Sequence, residues 1–302
     1  PLEEYKPKKY GEKKTYPQDW VAYNNAQTKE KIILLSTLNE LLDHIPFPTT
    51  KKAGRNPIPL RDKIFYLVLQ AYNIKSSRRC IADIQLCTRL GYIKKAPHFN
   101  TVLKALQDPT LLSYFKHLIT VSGLPLQQVE TEFAVDASGF STSQFDRWYD
   151  IRIKKETDKR KFTKIHLTCG VKTNIITAVN ITAGHRADCP QFTDLIQQTN
   201  RIYNIKEVSA DKAYLSRKNY QIVSELRGIA YIPFKSNSRG RPQGPWIWRT
   251  MYNLYTTQQQ TFLQHYHKRS NSETVFHMLK MKFGDYLRTK NETSQANVIL
   301  AK

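Results

Sequence analysis

Glu273 lies in the segment HYHKRSNSETVFHMLK, with Tyr266, Arg269 and Lys280 spaced around it. Tyr266 is seven residues back, Arg269 four back and Lys280 seven on. A helix repeats every 3.6 residues, so these offsets return all four to nearly one face. On such a face Glu273 can hold a metal ion, Arg269 can clamp a phosphate with its planar fork, and Lys280 can act as a point charge. Tyr266 either hydrogen-bonds a phosphate or packs. Asp136 closes TEFAVD and Asp211 closes KEVSAD, each at the end of a short apolar run that reads as a strand. Singly, an Asp after a strand is a turn former and a helical Glu a solvated charge. If the two strands are neighbours and a helix crosses their carboxyl ends, the three acids converge. Three close carboxylates repel one another unless cations lie between them. Oxygen-only ligands favour Mg²⁺ or Mn²⁺ over zinc, and two such ions about 4 Å apart activate water and stabilise a leaving oxygen in phosphodiester chemistry.

The rest of the chain is consistent with a polyanionic partner. Its 302 residues include 47 Lys and Arg against 25 Asp and Glu, a formal charge of +22. That excess is the footprint of a protein that neutralises phosphates. There is no apolar run of about 18 residues and no signal peptide with an apolar centre, so the expectation is a soluble, cytoplasmic protein that does not engage a membrane. Cys80, Cys87, Cys169 and Cys189 have neither CxxC spacing nor paired histidines; buried, reduced thiols are expected rather than zinc or disulfides.

The elements that must position the acids divide the chain in three. Residues 1–60 read as a basic arm, an amphipathic helix around Lys31 to Leu42, and a Pro-punctuated connector. Residues 61–128 read as helical: RDKIFYLVLQAYN, SSRRCIADIQLCTRL with a Ser76 or Ser77 cap and a stop at Gly91, then FNTVLKALQ. Arg78, Arg79, Arg89, Lys94 and Lys95 make this block either a DNA-binding helical module or an ordinary bundle with charged tips. Residues 129–302 open with three strands, EFAVDAS, KFTKIHLTCGV and IITAVNITA, the last two joined by a Lys172-Thr173-Asn174 turn. Alternating helices and strands follow, which predicts an α/β mixed sheet flanked by helices.

Two basic stretches carry aromatic residues. The run from Arg147 to Lys164 holds eight basic and three acidic residues beside Trp148 and Tyr149, and suits a backbone-tracking groove in which a base stacks, with Arg147 and Trp148 as the contacts. Trp246 and Trp248 stand near Arg239, Arg241 and Arg249 and either stack on an unpaired base or pack in the core. Asp188, in AGHRADCPQF, is expected to cap a helix beginning at Pro190. His277 is expected beside the site or in packing.

The pattern Tyr266, two residues, Arg269, three residues, Glu273, six residues, Lys280 resembles the signature of DDE-class insertion-sequence transposases of bacteria and archaea. AVDASGF, SADKAY and AYIPFKSNSRG resemble the same family, so the likeness spans about Glu132 to Lys302. The resemblance implies a ribonuclease H-like core preceded by an all-helical N-terminal region. It implies that Asp136, Asp211 and Glu273 are catalytic and bind two Mg²⁺ or Mn²⁺ ions. It implies that Tyr266, Arg269 and Lys280 contact DNA near the cut strand, with Lys268 beside them and Arg239 and Arg241 on the basic loop. The implied reaction is cleavage at transposon ends by metal-activated water, then joining of the freed 3′-hydroxyl to target DNA. The implied partners are double-stranded terminal inverted repeats and target DNA, bound by a homodimer in a prokaryotic cytoplasm at the nucleoid. The segment between Asp211 and Glu273 is modest, so the strand-rich insertion of some relatives is expected to be absent or reduced, and relatives usually continue through further helix beyond the position of Lys302, which leaves a C-terminal truncation open. Two alternatives share the fold: a domesticated or inactive relative that binds DNA without cutting it, and a hydrolytic nuclease.

Overall fold

A computed structural model of the chain describes residues 18–48, 57–142, 162–240 and 244–302. The N-terminal helices are α1 (Trp20–Asp43), α2 (Leu60–Asn73), α3 (Ser77–Arg89), α4 (Phe99–Ala105) and α5 (Leu111–Ser122). Local chemistry sets their ends. The Asp19 carboxylate accepts from the Ala22 N–H at 2.9 Å and starts α1 well before Lys31, where the apolar pattern begins. Ser76 caps α3 as its sequence predicts, and Ile74, left-handed at φ 53°, turns the chain between α2 and α3. Gly91 follows α3 at φ 81°, a conformation that costs glycine little.

The strands are β1 (Glu132–Ser141), β2 (Phe162–Gly170), β3 (Ile176–Ala183), β4 (Glu207–Ala210) and β5 (Ile229–Tyr231). They form one sheet in the order β3-β2-β1-β4-β5. β1, β2 and β3 are an antiparallel meander, and β4 and β5 run parallel to β1. The meander turns through Asn174 at φ 59°. That turn is anchored by Glu130, fully buried, whose carboxylate accepts from the Thr173 N–H at 2.5 Å and the Lys172 N–H at 3.4 Å. Gly170 is glycine because a Cβ there would run into the Glu130 carboxyl.

Helices cover both faces. α6 (Gln191–Asn200), α7 (Arg217–Glu225), α8 (Trp246–Thr257) and α9 (Gln259–Tyr266) pack on the face bearing Phe133, Val135, Val208 and Ala210. α10 (Ser270–Phe283) and α11 (Glu292–Ala301) share the opposite core with the N-terminal helices, against Ala134, Leu167, Cys169 and Val179. The expected mixed sheet flanked by helices, behind an all-helical N-terminal region, is present. No described helix is long and apolar enough to cross a membrane. The four cysteines are free, and burial pushes the Cys80 and Cys169 thiols up to about 11 and about 12.

Three local expectations change. Asp136 does not end its strand, because β1 continues to Ser141. Tyr266 to Lys280 is not one helix: His267–Arg269 forms a 3₁₀ turn between α9 and α10. Asp188 does not cap α6 with its side chain; Pro190 stands at the cap position, and the Asp188 carboxylate meets Lys164 at 2.9 Å and the His166 ring at 3.6 Å.

Candidate active site

Side chains alternate along a strand, so Phe133 and Val135 point into one core while Ala134 and Asp136 project from the other face. In the parallel ladder Val135 pairs with Ala210. Asp211 directly follows Ala210 beyond the end of β4, as Asp136 follows Val135 on β1, and its charge acts on Asp136. Asp211 is half-buried and begins a 3₁₀ turn, its Oδ1 accepting from the Lys212 N–H at 2.7 Å.

α10 lies across this face: Ser272 and Lys280 of α10, with Arg269 at the end of the preceding 3₁₀ turn, reach β1. Asp136 Oδ1 accepts from the Ala137 N–H at 2.8 Å, and Oδ2 accepts from Arg269 Nη1 at 2.9 Å and Ser272 Oγ at 3.1 Å. The other arm of the same guanidinium, Nη2, reaches Glu273 Oε1 at 2.5 Å. Lys280 Nζ donates to Ser138 Oγ at 2.7 Å. Burial raises the Asp136 pKa, assisted by Asp211 and opposed by the hydrogen bond from Ala137 and the charge of Arg269. Burial also raises the pKa of the Tyr266 hydroxyl, against the nearby charge of Arg269.

Among the described residues, no three of His, Cys, Asp and Glu are gathered closely enough to hold a metal ion. Instead one guanidinium stands between Asp136 and Glu273, a built-in cation held by the oxygens of two of the acids. The donor chemistry fits a hard divalent ion: all-oxygen ligands, with the Glu273 side chain 60% exposed.

The other expected contacts separate. Tyr266 and Lys280 flank the acids, whereas Lys268 turns to Glu132 at 2.7 Å and Glu207 at 3.2 Å. Arg239 is exposed and Arg241 lies outside the described residues, as do Arg147 and Trp148. Trp248 is core, its indole donating to the Arg239 carbonyl at 3.1 Å, while Trp246 is 71% exposed. His277 is exposed. Sequence reasoning missed Ser138 and Ser272; the two-residue alternation from Asp136 to Ser138 is the signal that finds the first.

A three-strand meander extended by two parallel strands, with helices on both faces, is the ribonuclease H-like class of mixed α/β fold. More specifically, the chain belongs to the transposase DDE domain family, whose model matches residues 127–301, more than half of the chain, and it is a DNA transposase. Solved structures with similar chains include the crystal structure of the Mos1 mariner paired end complex with Mn, at 8% identity and a TM-score of 0.25, covering 87% of this chain and 93% of that one. A pre-cleavage Mos1 transpososome matches at 9% identity and a TM-score of 0.25, covering 89% and 86%. No curated protein sequence matches.

Proposed function

We propose that this transposase cuts DNA at transposon ends and joins the freed 3′-hydroxyl to target DNA, with Asp136, Asp211 and Glu273 holding Mg²⁺ or Mn²⁺. The observation that carries the reading is the Arg269 guanidinium between Asp136 and Glu273: oxygens that jointly hold one positive group suit a divalent cation once Arg269 moves to a phosphate. When bound, a metal pair supplies an activated water and charge stabilisation at the leaving oxygen. Ser272 and the Ala137 N–H orient Asp136, and Lys280 stands ready to meet the DNA backbone at Ser138.

The N-terminal helices supply duplex binding in this reading. Lys31, Arg61, Lys63 and Lys75 all pair with aspartates. In contrast, Arg78, Arg79 and Arg89 are exposed on α3, with Ala82 and Gln85 between them, and the Arg78 guanidinium lies over the Phe99 ring at 4.8 Å. An outward helix face of arginines and one amide suits phosphates and base edges. Two transposon ends must be held together, so the working form on DNA is a dimer.

The test is incubation of the full chain with Mg²⁺ and DNA carrying its element's ends. Nicked and joined products are expected, lost in Asp136→Asn, Asp211→Asn and Glu273→Gln with DNA binding retained. Binding without products in the native chain selects an inactive DNA-binding relative, and cleavage without joining selects a nuclease.

A further inference from the structure

Glu207 opens β4 on the rung facing Glu132 of β1, so the sheet places two carboxylates side by side. Like charges directly opposite destabilise a sheet. Glu207 is 9% exposed, and its Oε1 is buried without a hydrogen-bond partner among the described residues. Its Oε2 lies 2.8 Å from His265 Nδ1 and accepts from Lys268 Nζ at 3.2 Å. Lys268 also donates to Glu132 at 2.7 Å. The His265 ring stacks on Tyr231 of β5, with centroids 4.4 Å apart and planes 6° from parallel. Burial works against the Lys268 charge, but the two glutamates outweigh it and its pKa is raised.

Stability is a poor explanation for this cluster. The Lys268 and Glu132 side chains are 28% and 30% exposed, where an ion pair contributes little, and at the buried Glu207 a well-packed apolar replacement is often neutral or stabilising. An orphaned buried oxygen costs about 1–3 kcal/mol besides. Its location offers a better explanation. Lys268 immediately precedes Arg269, and residues on one face of β1 engage the Lys268-to-Lys280 segment in order: Glu132 holds Lys268, Asp136 holds Arg269 and Ser272, and Ser138 holds Lys280. The first of these contacts, backed by Glu207, fixes the 3₁₀ turn from which α10 departs.

We propose that the Glu207–Lys268–Glu132 brace is a positioning device: it sets where Arg269 and Glu273 stand relative to Asp136, and so sets the affinity of the acidic face for a divalent cation. The inference rests on the reading of Asp136, Asp211 and Glu273 as the metal-holding acids. It separates positioning from folding, because the two respond oppositely to an apolar replacement.

The experiment titrates the full chain, without DNA, with Mn²⁺ read by electron paramagnetic resonance, beside thermal unfolding without metal. E207L/K268M is expected to melt no lower than the native chain yet to bind Mn²⁺ at least about tenfold more weakly, the lower end of what support beyond the ligands contributes to a metal site. K268M alone is expected to weaken binding likewise. K268R, which still reaches both carboxylates, is expected to restore it to within about threefold. Native Mn²⁺ affinity in a folded E207L/K268M overturns the proposal; if that variant does not fold, K268M and K268R decide, and equal losses in both overturn it. A native chain that binds no Mn²⁺ overturns the metal reading itself and the brace with it.

Discussion

Arg269→Ala removes the one cation that the structure places between Asp136 and Glu273. The Asp136 side chain is 16% exposed and that of Arg269 21%, so neither is free in solvent. A hydrogen bond to a charged group in such a setting contributes about 1.5–3 kcal/mol. The loss stays below the 3–5 kcal/mol of a wholly buried pair, because Asp136 keeps its bonds from Ala137 and Ser272. The contact with Glu273 is an exposed i,i+4 pair worth about 0.3–0.5 kcal/mol. Together these predict that Arg269→Ala is less stable by about 2 kcal/mol in EDTA. Linkage fixes the behaviour with metal. If a divalent ion takes the place of the guanidinium, the native chain gives up the same contacts when it binds Mn²⁺. The gap between the two proteins should then close at saturating Mn²⁺, equivalent to about thirtyfold tighter binding by the variant. Urea unfolding in EDTA and in Mn²⁺ measures both quantities. Equal stability in EDTA, or a gap that Mn²⁺ leaves unchanged, refutes the reasoning.

Three further outcomes follow from the packing. Burial lowers the His166 pKa to about 4, so below its unfolded value the unfolded chain binds the extra proton and stability falls as pH drops; the loss from this residue reaches about 2.5 kcal/mol at pH 4.5 and should be missing from His166→Gln in urea unfolding at pH 7 and 4.5. Gly170→Ala should destabilise by about 1–3 kcal/mol, because the new methyl meets the buried Glu130 carboxyl that anchors the β2–β3 turn; a native thermal midpoint would contradict this. Trp248→Ala should cost about 3–5 kcal/mol in chemical unfolding while Trp246→Ala stays within about 0.5 kcal/mol, since the first is core and the second projects into solvent.

Much of this arrangement was legible in the residues. The run from Phe133 to Val135 and the Lys172-Thr173-Asn174 turn located the meander, because apolar alternation and a left-handed turn are local signals. The positions of Asp136 and Asp211 at the centre of the sheet followed from treating their strands as neighbours, which the parallel ladder realises. The break at His267–Arg269 was not legible: helical spacing persists through the 3₁₀ turn, where Lys268 pairs with Glu132 and Glu207, two contacts distant in sequence. Asp188 misled for the same reason. Its spacing from Pro190 suits a cap, but Lys164 and His166 on β2 compete for the carboxylate and only the fold brings them there. Lys268, expected at the DNA beside Tyr266 and Arg269, has Glu132 and Glu207 as its neighbours in space, two acids distant in sequence.

The central claim is that Asp136, Asp211 and Glu273 share a divalent cation. Hydroxyl-radical cleavage of the full chain by Fe²⁺ substituted at the Mg²⁺ site tests it most directly, because the radical cuts only the backbone beside the ion. Cuts are expected near all three acids, suppressed by excess Mg²⁺ and absent from Asp136→Asn. Cleavage confined to other segments, or undiminished in that variant, would contradict the account.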